Sequence, residues 1–348
     1  MRFGPKSTTR LTAPRLLFFA RFATILGLGL ATATAALAAL PDVSASTSDV
    51  AALPRALRAD RLLERAWLQA RGIGAPARLV FDEEGALYVL DAAARRVIRL
   101  PLGPRAGGSS AEPPETGAPL PFGEDVAPSW LPTDFALDLR GSLLVLDRAA
   151  AAVTAYGRRA EPLGSREVDP ALAEESRAAD ARLIRDSFGD LWLLAPRERD
   201  LVPLGGRLER RRSSRFLMPE GELEAPVAAA FLPRGGGWIA DGSLAVLRRF
   251  AATGAMTITA APNDSVPFAP SDLATDGSGA LFVADAAGGR VSVFAGDGAL
   301  LTTHWLSGGG GRPWRPAAIA WSRDDRVAVA DPSRGEIWIL SVEREGTP

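Results

Sequence analysis

Cysteine is absent from this 348-residue chain, which excludes disulfides, thiolate metal sites and cysteine nucleophiles. Histidine, asparagine and lysine occur once each, as His304, Asn263 and Lys6. A serine triad would therefore depend on His304, and no serine sits in a G-x-S-x-G elbow. An excess of one charge is also missing: 40 Lys+Arg stand against 41 Asp+Glu, a net of -1. That balance gives no global attraction to nucleic acid or to an anionic bilayer, so a nucleic-acid partner is not expected. Apolar residues are plentiful at 47%, enough for a large core.

Residues 1–45 stand apart from the rest. Arg2, Lys6, Arg10 and Arg15 precede an apolar run from Leu16 to Leu40 that only Arg21 interrupts. The run includes the small-x-small triplet Ala36-Leu37-Ala38. A basic start, an apolar helix-forming middle and small residues near the end predict a secretory signal peptide. The alternative is an uncleaved membrane anchor. Either reading places the body in the periplasm or outside the cell, with residues 46–61 as a tether. Membrane contact is then expected only through the N-terminal segment.

The remainder repeats one unit six times, beginning near residues 76, 132, 180, 226, 270 and 316. In PARLVFDEEGALYVLD, counting from Pro76, an acid falls at six (Asp82), Gly at nine (Gly85) and Asp at fifteen (Asp91). The frame fits PTDFALDLRGSLLVLD and PSDLATDGSGALFVAD without gaps, and the units at 180, 226 and 316 with one or two replacements. Two apolar runs around a Gly-bearing turn predict a hairpin, and a third strand is expected at Val97, Val153, Leu201, Leu247, Val291 and Ile337. Starts 44 to 56 residues apart suit one four-stranded blade each. The expected fold is therefore all-β, a six-bladed β-propeller over 62–342, preceded by a hydrophobic export helix and followed by a short tail, 343–348. The last unit lacks its outer strand. Leu62-Leu63-x3-Trp67-Leu68 repeats the spacing of Leu300-Leu301-x3-Trp305-Leu306, so a strand near Leu62–Leu68 is expected to close the ring, an amphipathic helix being the alternative there.

The frame P-x5-D-x2-G followed by apolar-V-x-D, with DAAGGRVSVFAGDG at 285–298, resembles the NHL repeat family. The resemblance implies a propeller and leaves the activity open, since such rings serve as binding modules, scaffolds and, less often, enzymes. Similar six-bladed lactonases hold a divalent metal with Glu, Asp and typically Asn. Related lyases use several His ligands for zinc, and quinoprotein sugar dehydrogenases use a catalytic His. The one Asn and one His here leave those sets short of donors, so neither a metal nor a cofactor is expected.

Each repeated position has an expected role. Tyr88, Leu144, Trp192, Trp238, Phe282 and Ala328 share one place in the second strand and should pack between blades. Asp91, Asp147, Asp241, Asp285 and Asp331 should accept backbone N–H bonds in the following turn. Two residues into each unit stand Arg78, Asp134, Arg182, Ala228, Asp272 and Ala318. Arg78, Asp134, Arg182 and Asp272 should meet at the channel mouth, either as a polar ligand site or by neutralising one another. Loops after the second strand should add a rim of Arg95, Arg96, Arg148, Arg197, Arg199, Arg290 and Arg334, suited to carboxylate, phosphate or acidic protein. Arg207, Arg210, Arg211, Arg212 and Arg215 are expected along a solvated edge of the third blade. The stretch Gly103–Leu131 is expected to lack structure. These features together predict a non-catalytic exported scaffold for an envelope protein, with a binder of small anionic or glycan ligands, or an unusual lactonase-like hydrolase, as alternatives.

Overall fold

The computed structural model describes residues 52–103, 119–123, 129–211, 223–307 and 312–344. Six antiparallel sheets follow one another around a ring. The innermost strands are Pro76–Phe81, Pro132–Leu137, Arg182–Arg185, Pro226–Phe231, Pro270–Thr275 and Ala318–Ser322. Each is followed by a second strand, ending at the repeated Asp in five blades and at Ala195 in the third, and by a third strand where the sequence predicts it. The six-bladed propeller expected from the repeats is the observed fold. Among the described residues, no helix is long and apolar enough to cross a membrane. The export segment, Arg212, Arg215 and 345–348 lie outside the described residues.

Two devices recur in the blades. At the first turn, Asp82 Oδ1 accepts the N–H groups of Glu84 and Ala86 at 3.0 and 2.8 Å, while Gly85 takes φ +80, a value costly for a side chain bearing Cβ. At the second turn, Asp91 accepts from Ala93 and Ala94 and also from Gly74, which leads into the same blade. Asp147, Asp241, Asp285 and Asp331 repeat that double grip on Leu131, Glu224, Ala269 and Arg315. Burial opposes ionisation of Asp241, yet N–H donors from Glu224, Ala225 and Leu244 and the Ser243 hydroxyl hold its carboxyl below the usual range. The shared aromatic position packs as expected: Tyr88, Trp192, Trp238 and Phe282 are all buried.

Closure differs from the expectation in its boundary. The closing strand is Pro54–Leu63, paired antiparallel with Glu336–Arg344 in the order closing, third, second, first strand of blade six. Residues 54–61 thus belong to the ring and not to a tether. Arg65–Gln69, expected as strand, is a short helix. The reason is local: Leu57 and Leu63 supply the buried face of the strand, whereas Leu68 turns inward from the helix. A second correction falls within Gly103–Leu131, where Leu120–Phe122 forms the outer strand of blade one.

Candidate functional site

The inner strands enclose a cavity of about 420 Å³ along the channel axis. Its deep level is the residue two places into each unit. Arg78 Nε stands 3.8 Å from Asp134 Oδ1, linking blades one and two. Arg182 Nη1 lies 3.0 Å from Asp272 Oδ1, linking blades three and five, with Ala228 at the same position of blade four. The acids also accept backbone donors from the next blade: Leu183 N to Asp134 Oδ2 at 3.0 Å, and Ile319 N to Asp272 Oδ2 at 2.9 Å. The four predicted channel residues therefore do converge, but at the deep end of the cavity and not at its mouth. Mutual neutralisation and a shared cavity coexist, because the pairs line the wall without filling the space.

This level is largely buried and electrically coupled. Burial pushes the Asp134 carboxyl above the usual aspartate range, against the pull of Arg182 and Arg78. Burial and the neighbouring Arg182 push Arg78 down to about 10, with Asp134, Asp272 and Asp180 opposing. Arg78 Nη1 donates to Ala77 O at 2.8 Å, while its buried Nε has no hydrogen-bond acceptor. Perturbed charges lining a cleft make this level the candidate site.

Above this level the wall is mostly apolar, with Leu79, Phe81, Phe135, Leu137, Phe231 and Trp321 prominent. The cavity reaches solvent at the first-turn end of the blades, where Glu84, Leu139 and Arg158 are exposed. Arg99 is held by Asp82 and Glu84, and Arg158 by Glu84.

The predicted arginine rim is elsewhere. None of its seven members lines this cavity, because the loops after the second strand lie at the opposite end of each inner strand. Arg290 is fully buried between Asp285 and Asp264 and stacks on Trp305, and Arg334 binds Glu336 and the Arg312 carbonyl. Arg96 donates to Gly72 O and Arg197 pairs with Glu174. Arg95 and Arg199 take positive φ in their turns, and the Arg148 N–H bonds the Leu131 carbonyl. On blade three, Arg210 pairs with Glu198 and Asp200, and Arg211 with Asp190. Arg185, Phe81 and Trp321 were missed as cavity residues, although comparing the units five places in would have drawn them out.

The donor set does not suit a divalent ion. No three His, Asp or Glu side chains converge among the described residues. Asp134 and Asp272, the acids at the deep level, both face guanidinium groups. A cation there would have to displace buried arginines.

No family model and no curated protein matches the sequence. Solved structures do match. A streptogramin B lyase aligns over 83% of this chain and 98% of its own, at 12% identity and TM-score 0.56. A luciferin-regenerating enzyme aligns over 79% and 92%, at 15% and 0.55. A gluconolactonase from Xanthomonas campestris aligns over 84% and 98%, at 17% and 0.51. At such identities the likeness shows a shared propeller fold. The expectation of a non-catalytic scaffold is corrected to this extent: the rings this one resembles include those of a lyase, a lactonase and a luciferin-regenerating enzyme.

Proposed function

We propose that this chain is a hydrolase of small esters or lactones that works inside the channel of an exported, NHL-like propeller. The observation that carries the reading is the buried array of Arg78, Asp134 and Arg182 at the deep end of a cavity sized for a small molecule. An acid with a raised pKa is a better proton acceptor than an exposed aspartate, and two guanidinium groups beside it favour a developing oxyanion. Asp134 takes a proton from water as the water oxygen bonds to the acyl carbon. Arg78 and Arg182 hold the carbonyl oxygen as it becomes negative. The acyl C–O bond then breaks, and the proton on Asp134 passes to the leaving alkoxide. The products are an acid and an alcohol, joined in one molecule when the substrate is a lactone. No metal takes part in this scheme, in keeping with the donor set.

The catalytic use of the same fold by a gluconolactonase and a lyase supports an enzymatic reading over a scaffold. The repeat frame supports the NHL-like assignment of the blades, and the basic and apolar pattern of residues 1–40 supports export to the periplasm or beyond. N-terminal sequencing that found Met1 on the mature protein would refute cleavage.

The test is a pH-stat assay of the full chain against a panel of lactones and carboxylic esters, beside Asp134→Asn. Acid release by the wild type and its loss in the folded variant are expected. Equal rates in the two proteins, or no release on any member of the panel, would defeat the reading.

A further inference from the structure

We propose that the cavity is shaped for a ligand with an apolar body and one carboxylate, and that Arg185 selects that carboxylate. The inference rests on the channel being the substrate site and specifies what the site takes. Five places into each unit the cavity wall is formed by Phe81, Leu137, Arg185, Phe231, Thr275 and Trp321. Four of the six are apolar or aromatic. The Thr275 hydroxyl is committed to Phe231 O at 2.6 Å. Arg185 is the one charge at this level.

Its isolation sets it apart from the other arginines of the cavity. Arg78 faces Asp134, Arg99 faces Asp82, Arg158 faces Glu84 and Arg182 faces Asp272, at 3.8, 2.9, 3.1 and 3.0 Å. The Arg185 side chain makes no ion pair or hydrogen bond among the described residues. The adjacent acid does not serve it: Asp186 Oδ1 accepts from Phe188 and Asp190, and its Oδ2 accepts from Trp192 Nε1 at 3.0 Å. Arg185 is half-buried at the cavity wall, and its guanidinium is left without an anion among the described residues. Its planar fork matches the two oxygens of a carboxylate. A dianion such as phosphate suits the place less well, because Asp82, Glu83 and Glu84 crowd the mouth.

Trp321 supplies the opposite wall, since blade six faces blade three across a six-fold ring. Its indole Nε1 is buried and without a partner. The indole body closes that side of the cavity, while Phe81 and Phe231 line the apolar part.

The test compares phenylacetate with phenylacetamide, which share shape and differ in charge, by calorimetric titration of the full chain. The wild type should bind phenylacetate at least about tenfold more tightly, the effect of one charge-assisted contact. Arg185→Gln should abolish the preference and Arg185→Lys should keep part of it, which separates lost charge from lost fold. Equal binding of the two probes by the wild type, a preference retained in Arg185→Gln, or no binding of phenylacetate would overturn the proposal. Arg148→Glu, outside the cavity lining, should keep the preference. An intact preference with no ester hydrolysed would sink the hydrolase reading alone, and hydrolysis without the preference would sink this inference alone.

Discussion

Arg182 of the third blade reaches Asp272 of the fifth across the channel, Nη1 to Oδ1 at 3.0 Å, bypassing the blade between them. Its Nη2 also holds the Ser271 carbonyl at 2.8 Å, and the second oxygen of Asp272 accepts the Ile319 N–H of blade six. Three blades are thereby fixed at the level of the proposed reaction. Both side chains are about nine-tenths buried, so solvent screens the pair weakly.

Removing one partner should cost far more than removing both. Arg182→Leu leaves Asp272 as an uncompensated buried charge and should lower stability by about 3–5 kcal/mol. The double variant Arg182→Leu/Asp272→Leu should recover much of that loss. Urea denaturation of the four members of the cycle checks this. A double variant as unstable as the sum of the singles would show that the two residues do not depend on each other.

The pH dependence of turnover should carry the signature of Asp134. The base must be ionised, and burial raises its pKa. The rate should therefore decline on acidification at a pH above the ordinary aspartate value of about 3.9. A kcat/KM profile for the best ester of the panel reads this directly. An acidic limb at or below the ordinary value would remove Asp134 from the role.

Trp238, fully buried in the second strand of blade four, should behave as core. Trp238→Ala should lose about 3–5 kcal/mol in chemical denaturation. A loss below about 1 kcal/mol would place the ring at the surface.

His304 lies on the outer strand of blade five, where burial pushes its pKa below the usual histidine value and the Leu57 backbone opposes. A depressed folded-state pKa means that the unfolded chain binds the proton first. The stability His304 contributes is present above its unfolded value of about 6.5 and is lost as pH falls through the folded pKa. His304→Gln should flatten the melting-temperature profile over that window. An unchanged slope would mean that His304 is not the group responsible.

The sequence made the ring legible because each blade repeats its apolar runs and turn residues without gaps. The grip of Asp91 and its four counterparts was also legible, since five equal positions argue for a structural role. The closing strand was harder to read. Arg55, Arg58, Ala59 and Asp60 are exposed on Pro54–Leu63, so the strand looks like a polar tether until its pairing with Glu336–Arg344 is seen. The Leu62–Leu68 spacing suited helix and strand alike, and the chain turns helical after Glu64. The arginine rim does not join the cavity, and sequence could not show Asp264 arriving from a connecting segment to hold Arg290. Arg185 was open to detection, as the one charge at its repeat position, but only a cavity gives that position a meaning.

On the proposed function, small molecules are processed at the cavity end of the channel and not at the end that bears Arg148. The direct measurement is ester turnover by two folded variants of the full chain, Ala274→Trp, which fills the cavity wall, and Arg148→Glu, which reverses a charge at the far end. Turnover should vanish in Ala274→Trp and persist in Arg148→Glu. The opposite pattern, activity surviving the filled cavity and lost with the reversed charge, would place the chemistry at the far end of the channel.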